Sequence, residues 1–148
     1  MPKHKVSWIV IADGSRARIV TRRHESPGFD VVAEMQSPES HVPSHLIASE
    51  RPGRTQESGY SGRHAIEPRV DPHQERLTAF IQSVATYLNE QAAGAAVDDI
   101  ILFAPPHALG QLRAMLDERV TRKIRAEAPK DLTKLPIEEL PKHLDALR

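Results

Sequence analysis

Cysteine is missing from this 148-residue chain. That excludes disulfides and thiolate chemistry, and makes a reducing compartment, the cytoplasm, the expected location. Charge of one sign is also missing: 20 Lys and Arg balance 20 Asp and Glu. No global field therefore draws the protein onto nucleic acid or an anionic membrane, and any such attraction must come from a local patch. Nothing marks the chain as a DNA-binding protein. Long apolar runs are absent too. The run nearest the N-terminus, Trp8 to Ala12, is too short for a signal-peptide core or a membrane span, so no membrane insertion is expected. There is no internal repeat and no low-complexity tail. The length suits one domain with a real core, residues 1–148 as a single unit.

Local patterns locate the elements. Val6 to Ala12 is apolar and rich in β-branched residues, as in a strand buried on both faces. Asp13-Gly14 then signals a hairpin. Arg16 to Thr21 reads as the returning strand with one wetter face, and Phe29 to Met35 as a third strand after Pro27-Gly28. Asp71-Pro72 can cap and open a helix whose apolar face is Leu77, Phe80, Ile81, Val84 and Leu88, ending near Gly94. Asp99 to Ala104 is the candidate central strand. Pro105-Pro106 ends it, and His107 to Glu118 is a predicted helix with Leu109, Leu112 and Leu116 on one side and Gly110 permitting close packing. A last strand is expected within Arg119 to Glu127 (Val120, Ile124, Ala126), and a C-terminal helix carrying Leu135, Leu140, Leu144 and Leu147 with Pro141 near its start. The fold class is α/β: a mixed sheet flanked by helices.

Between the third strand and the first long helix, about residues 37–72, periodicity disappears, apart from one expected helical turn around Ser44 to Ser49. Long unpatterned segments inside a domain are usually functional or disordered. Arg51 to Pro68 holds three glycines, three arginines and a histidine. Arg51, Arg54, Arg63 and Arg69 offer planar donors matched to phosphate or carboxylate, and His64 adds a donor that titrates near neutrality. Gly53, Gly59 and Gly62 would let backbone N–H groups approach an anion closely. The site expected here is an anion-binding loop of Arg51, Gly53, Arg54, Gly59, Tyr60, Gly62, Arg63 and His64. The competing reading is a solvated loop balanced by Glu50, Glu57 and Glu67. Tyr60, unlike the core candidates Trp8, Phe80 and Phe103, has nothing local to pack on; it would stack on a base or partner, or anchor the loop.

Other chemistry finds less support. The Gly59–Gly62 stretch matches neither phosphate-binding glycine motif, and no lysine follows it. His41 and His45 are four apart, but Pro43 between them argues against a helical metal pair, and no metal or cofactor is expected. Ser58 or Ser61 with His64 lacks a complete nucleophile elbow. Asp98-Asp99 read as a solvated strand start and Asp71 as a cap. His107 and Arg113 form a secondary anion candidate after the end of the predicted central strand, where open sheets bind ligands.

The IADGSRARIV hairpin, the ERPGR and GRHA pieces of the loop, the FAPPHALGQLR turn and the KDLTKLP segment together resemble the host-attachment protein family of proteobacteria, described as required for attachment to host cells. The resemblance covers nearly the whole chain and brings no catalytic residues with it. The order of elements is similar to the middle domain of archaeo-eukaryotic class-one peptide-chain release factors, as is the Asp13, Gly14, Ala17 pattern of the hairpin. In those factors the corresponding loop carries Gly-Gly-Gln into the ribosomal peptidyl-transferase centre. Here the loop reads Gly59-Tyr60-Ser61-Gly62-Arg63-His64, and its glutamine, Gln56, precedes Glu57-Ser58. The resemblance therefore implies the fold and contact with RNA, the ribosome or a protein partner, without release chemistry. Two alternatives stay open: a small hydrolase of ester or phosphoester bonds using His64, and a regulatory adaptor.

Overall fold

The computed structural model describes residues 4–38 and 71–147. Five strands form one mixed sheet in the order β3-β2-β1-β4-β5. Strands β1 (Ser7–Ala12), β2 (Arg16–Arg22) and β3 (Phe29–Gln36) make the antiparallel meander read from the sequence. Strands β4 (Asp99–Phe103) and β5 (Ile124–Ala128) extend it parallel to β1. The centre is β1, not the Asp99 strand, which is the next one outward. Both are buried along almost their whole length, so apolar continuity could not rank them.

Two helices cover one face of this sheet. Helix α1 (Pro72–Gln91) starts as predicted: the Asp71 side chain accepts from the His73 N–H at 3.0 Å, and Pro72 opens the first turn. Its buried stripe of Phe80, Ile81, Val84, Ala85 and Leu88 packs with Trp8, Val10, Ile100 and Leu102 of the sheet. Helix α2 (Pro106–Met115) adds Leu109 and Leu112 to the same core. It is shorter than the predicted His107–Glu118 helix. Asn89 of α1 donates to the Met115 carbonyl at 3.2 Å and accepts from the Asp117 N–H at 2.9 Å, so Leu116 turns extended. The short helix α3 (Glu118–Thr121), capped by Asp117, follows and takes Val120 out of the expected strand. Among the described residues nothing lies within 4 Å of a Cβ placed at Gly110, so it serves no tight packing against them.

The last turn of α1 has no basic residue of its own. Lys123, just before β5, supplies the charge: its ammonium donates to the carbonyls of Ala92 and Val97 at 2.7 Å each and to that of Gly94. A cation on the cap carbonyl and on carbonyls just past the helix end is favourable in both charge and hydrogen bonding. Lys123→Met should lower folding stability by about 2 kcal/mol in urea denaturation. An unchanged midpoint would show that water replaces the ammonium at no cost.

The other face of the sheet is covered by the C-terminal segment. Leu132, Leu140 and their neighbours, including the 3₁₀ turn Ile137–Glu139 and helix α4 (Leu140–Asp145, Pro141 in its first turn), pack on Ile9, Ile11, Val20, Ile101 and Phe103. The face of β2 read as wet is therefore the covered one. Arg18 lies on it, half-buried, beside Ile11 of β1.

Candidate functional site

Two of the sequence motifs meet at the edge where β1 and β4 end. In the hairpin, Asp13 Oδ1 accepts from the N–H groups of Ser15 and Arg16 at 2.8 Å each, and Asp13 N–H donates to the Arg16 carbonyl at 2.9 Å. This side-chain-closed turn is what Asp favours. Gly14 does not have a positive φ. Its use is proximity: a Cβ there would stand 2.5 Å from Leu77 Cδ2 of α1. The Thr133 hydroxyl lies 3.1 Å from Asp13 Oδ2 and 2.6 Å from Asp131 Oδ1, and its one proton serves either carboxylate. Arg18 Nη2 donates to the carbonyls of Leu132 and Leu135 at 3.3 and 3.0 Å. The DLTKLP segment is thus tied to the hairpin by side chains of both.

The ends of the long unpatterned segment sit at this same edge. Ser37 N–H donates to the Ser15 carbonyl at 2.7 Å, fixing the exit of β3 to the hairpin turn. Pro38 and Gln36 share a depression of about 380 Å³ with Arg76 and Ala79, in the second and third turns of α1. Asp71, where the chain resumes, caps that helix. Beside them an open groove of about 590 Å³ is lined by Arg16, Arg18, Glu34, Gln36 and Thr133, among others. Its wall carries two cations and one carboxylate. Sequence reasoning missed these residues. The signal available was the alternation of Arg16 and Arg18, which was read as exposure to solvent.

The residues proposed for the anion-binding loop (Arg51, Gly53, Arg54, Gly59, Tyr60, Gly62, Arg63 and His64), with Arg69 and the Ser44–Ser49 turn, lie outside the described residues. The secondary pair is described. His107 Nε2 accepts from the Gln74 amide of α1 at 2.8 Å, whereas Arg113 pairs with Glu127 of β5. Six residues of helix separate them by about 9 Å along the axis, and they turn to different partners. They are not brought together as a two-residue anion clamp. Among the described residues no group of three or more His, Asp or Glu side chains could hold a metal ion, and no helix is long and apolar enough to cross a membrane.

Comparison with known proteins adds the following. The family described as "Protein required for attachment to host cells" matches residues 8–144. No curated protein matches the sequence. Among solved structures, an archaeal translation termination factor, aRF1, is similar over 95% of this chain with a TM-score of 0.51 and 13% identity. A second structure, described as an archaeal protein, gives 0.45 and 14% over the same share. This chain spans 37% of the length of each. At such identity the likeness is one of fold: the mixed five-stranded sheet with its helices.

Proposed function

The chain belongs to the family of proteins required for attachment to host cells, and from that premise we propose that it acts by binding rather than catalysis, with ribosomal RNA as the partner of its Arg/Gly segment. The contacts would come from Arg51, Gly53, Arg54, Gly59, Tyr60, Gly62, Arg63 and His64, guanidinium groups on phosphates and Tyr60 on a base. The observation that carries this reading is the placement of the segment's two ends. Ser37 is tied to the hairpin turn, Pro38 shares a depression with the early turns of α1, and Asp71 caps the same helix. The segment leaves and rejoins the described fold at the edge that carries the groove of Arg16 and Arg18. The fold shared with a translation termination factor makes the ribosome the first partner to test.

Sucrose-gradient sedimentation of native lysate at low and moderate salt tests it. The protein should travel with ribosomal subunits at low salt and leave them as salt rises, because phosphate contacts release counterions. Arg54→Ala with Arg63→Ala should remove the co-migration and, by filter binding to purified rRNA, flatten the log–log salt slope by roughly 1.5. Migration at the top of the gradient under both conditions would overturn the ribosome reading and direct the search to a protein partner. A His64→Ala variant that abolishes an ester- or phosphoester-hydrolysing activity while keeping affinity would instead establish the hydrolase alternative.

A further inference from the structure

At the opposite end of the sheet, where β1 and β4 begin, a cavity of about 350 Å³ lies between the sheet and the C-terminal helix. Its apolar part is Ile9, Ile101, Leu144 and Leu147; its polar part includes Lys5, Arg22, His24, Arg125 and Asp145. We propose that this cavity binds a small organic anion, an acidic head of phosphate or carboxylate on a short apolar body, with Lys5, Arg22 and Arg125 around the head.

Each of the three cations is held in place by a different device. Arg125 is the extra residue of a bulge: Ile100 pairs with Ile124 and Ile101 with Ala126, so Arg125 has no register partner. Bulges re-aim side chains in this way next to sites. Arg22, last residue of β2, lies over the Phe29 ring with 5.4 Å to the centroid, an arrangement that fixes a guanidinium without using its in-plane donors. Lys5 and Arg125 both reach Asp99 Oδ2, at 3.1 and 3.3 Å.

Asp99 is the second observation. It is 6% exposed, and among the described residues neither of its carboxylate oxygens has a hydrogen-bond partner. The sequence reading of a solvated acid fits Asp98, which is exposed and accepts from the Val6 N–H at 2.7 Å. It does not fit Asp99, whose strand alternation turns it inward. Buried Asp99 draws both cations to the cavity wall through its two ion pairs and leaves their side chains 67% and 52% exposed. It is a positioning residue. The lining carries three cations, Lys5, Arg22 and Arg125, and one carboxylate, Asp145, with Asp99 paired to Lys5 and Arg125, and among the described residues Arg22 has no carboxylate partner. The surplus is one positive charge beside an apolar floor, in a volume at the low end for small-ligand sites. An inorganic ion alone would leave the floor unfilled.

The test is titration of the full chain, followed by the backbone amide signals of Ser7, Ile101, Ala126 and Leu144, with inorganic phosphate, butyl phosphate and butyrate. At least one organic anion should shift these amides saturably. The better head group identifies the source of the acidic group, and butyl phosphate should bind about tenfold more tightly than inorganic phosphate through its buried methylenes. Arg22→Gln, an exposed position, should weaken binding about tenfold, and His24→Gln less. Arg119→Gln, outside the cavity, should change nothing. No saturable shift up to about 10 mM, the limit of weak specific binding, would overturn the proposal. So would equal affinities for the wild-type and Arg22→Gln proteins when the rest of the spectrum shows both folded.

Discussion

Arg18→Ala is expected to lower folding stability by about 3 kcal/mol and to loosen residues 129–147 from the sheet. Two charge-assisted hydrogen bonds, to the Leu132 and Leu135 carbonyls, contribute roughly 1.5–3 kcal/mol each. The longer one, at 3.3 Å, belongs at the low end of that range. Against this, Arg18 Nε is buried without a partner among the described residues, and removing it recovers part of a desolvation cost. The balance leaves about 3 kcal/mol, or a fall in melting temperature of roughly 10 °C for a domain of this size. Arg18→Lys should fall between the two, since an ammonium keeps the charge but not the planar fork. Hydrogen exchange reads the local part: the Leu135, Glu139 and Leu147 amides, bonded to the Leu132, Pro136 and Leu144 carbonyls, should lose protection before those of β1. A loss below about 1 kcal/mol, with these amides as protected as before, would show that apolar contacts alone hold the segment.

The misreading of Arg18 shows how far local pattern reaches. Alternating Arg and apolar residues mean a half-wet strand when water is the other solvent of the sheet. Here the other solvent is an irregular peptide segment, Asp131 to Pro136, whose Leu132 and Leu135 carbonyls accept from Arg18. The segment's proline and lack of periodicity are visible in the sequence; its position over β2 is not. The same limit applies to α2. Between His107 and Glu118 the local boundary signal is Asp117, which caps α3, and the rest of the ending comes from Asn89 on another element. By contrast the meander, the Asp71 cap, the stripe of α1 and the buried Asp99 strand were legible because each is specified by neighbours in sequence. Strand order is not local, and β1 took the centre. For the functional residues the division is similar: the hairpin and DLTKLP motifs stood out individually, while their contact through Asp13, Thr133 and Arg18 needed the fold. The basic cavity has ligands from residue 5 to residue 125, a spacing no motif describes.

The cluster around Asp99 should respond asymmetrically to loss of its members. Lys5→Met with Arg125→Met is expected to destabilise the protein by about 3 kcal/mol, whereas Asp99→Asn should cost about 1 kcal/mol or less. The reason is where each charge goes when its partner is removed. Without Asp99, the ammonium and the guanidinium, more than half exposed, relax into water, and an exposed pair is worth only about 0–1 kcal/mol. Without the two cations, the carboxylate, 9% exposed, stays behind at the start of β4 with no hydrogen-bond donor to replace them. Stranding one member of a buried pair costs about 3–5 kcal/mol. The methionines keep much of the apolar stems, so the difference reports charge rather than volume. The decisive comparison is the triple variant. Adding Asp99→Asn to the double methionine protein removes the stranded charge and should restore about 2 kcal/mol, so that three substitutions are less harmful than two. Urea denaturation of the four proteins at neutral pH measures this directly. A triple variant no more stable than the double would mean that the Asp99 carboxylate is solvated and does not organise the cavity wall.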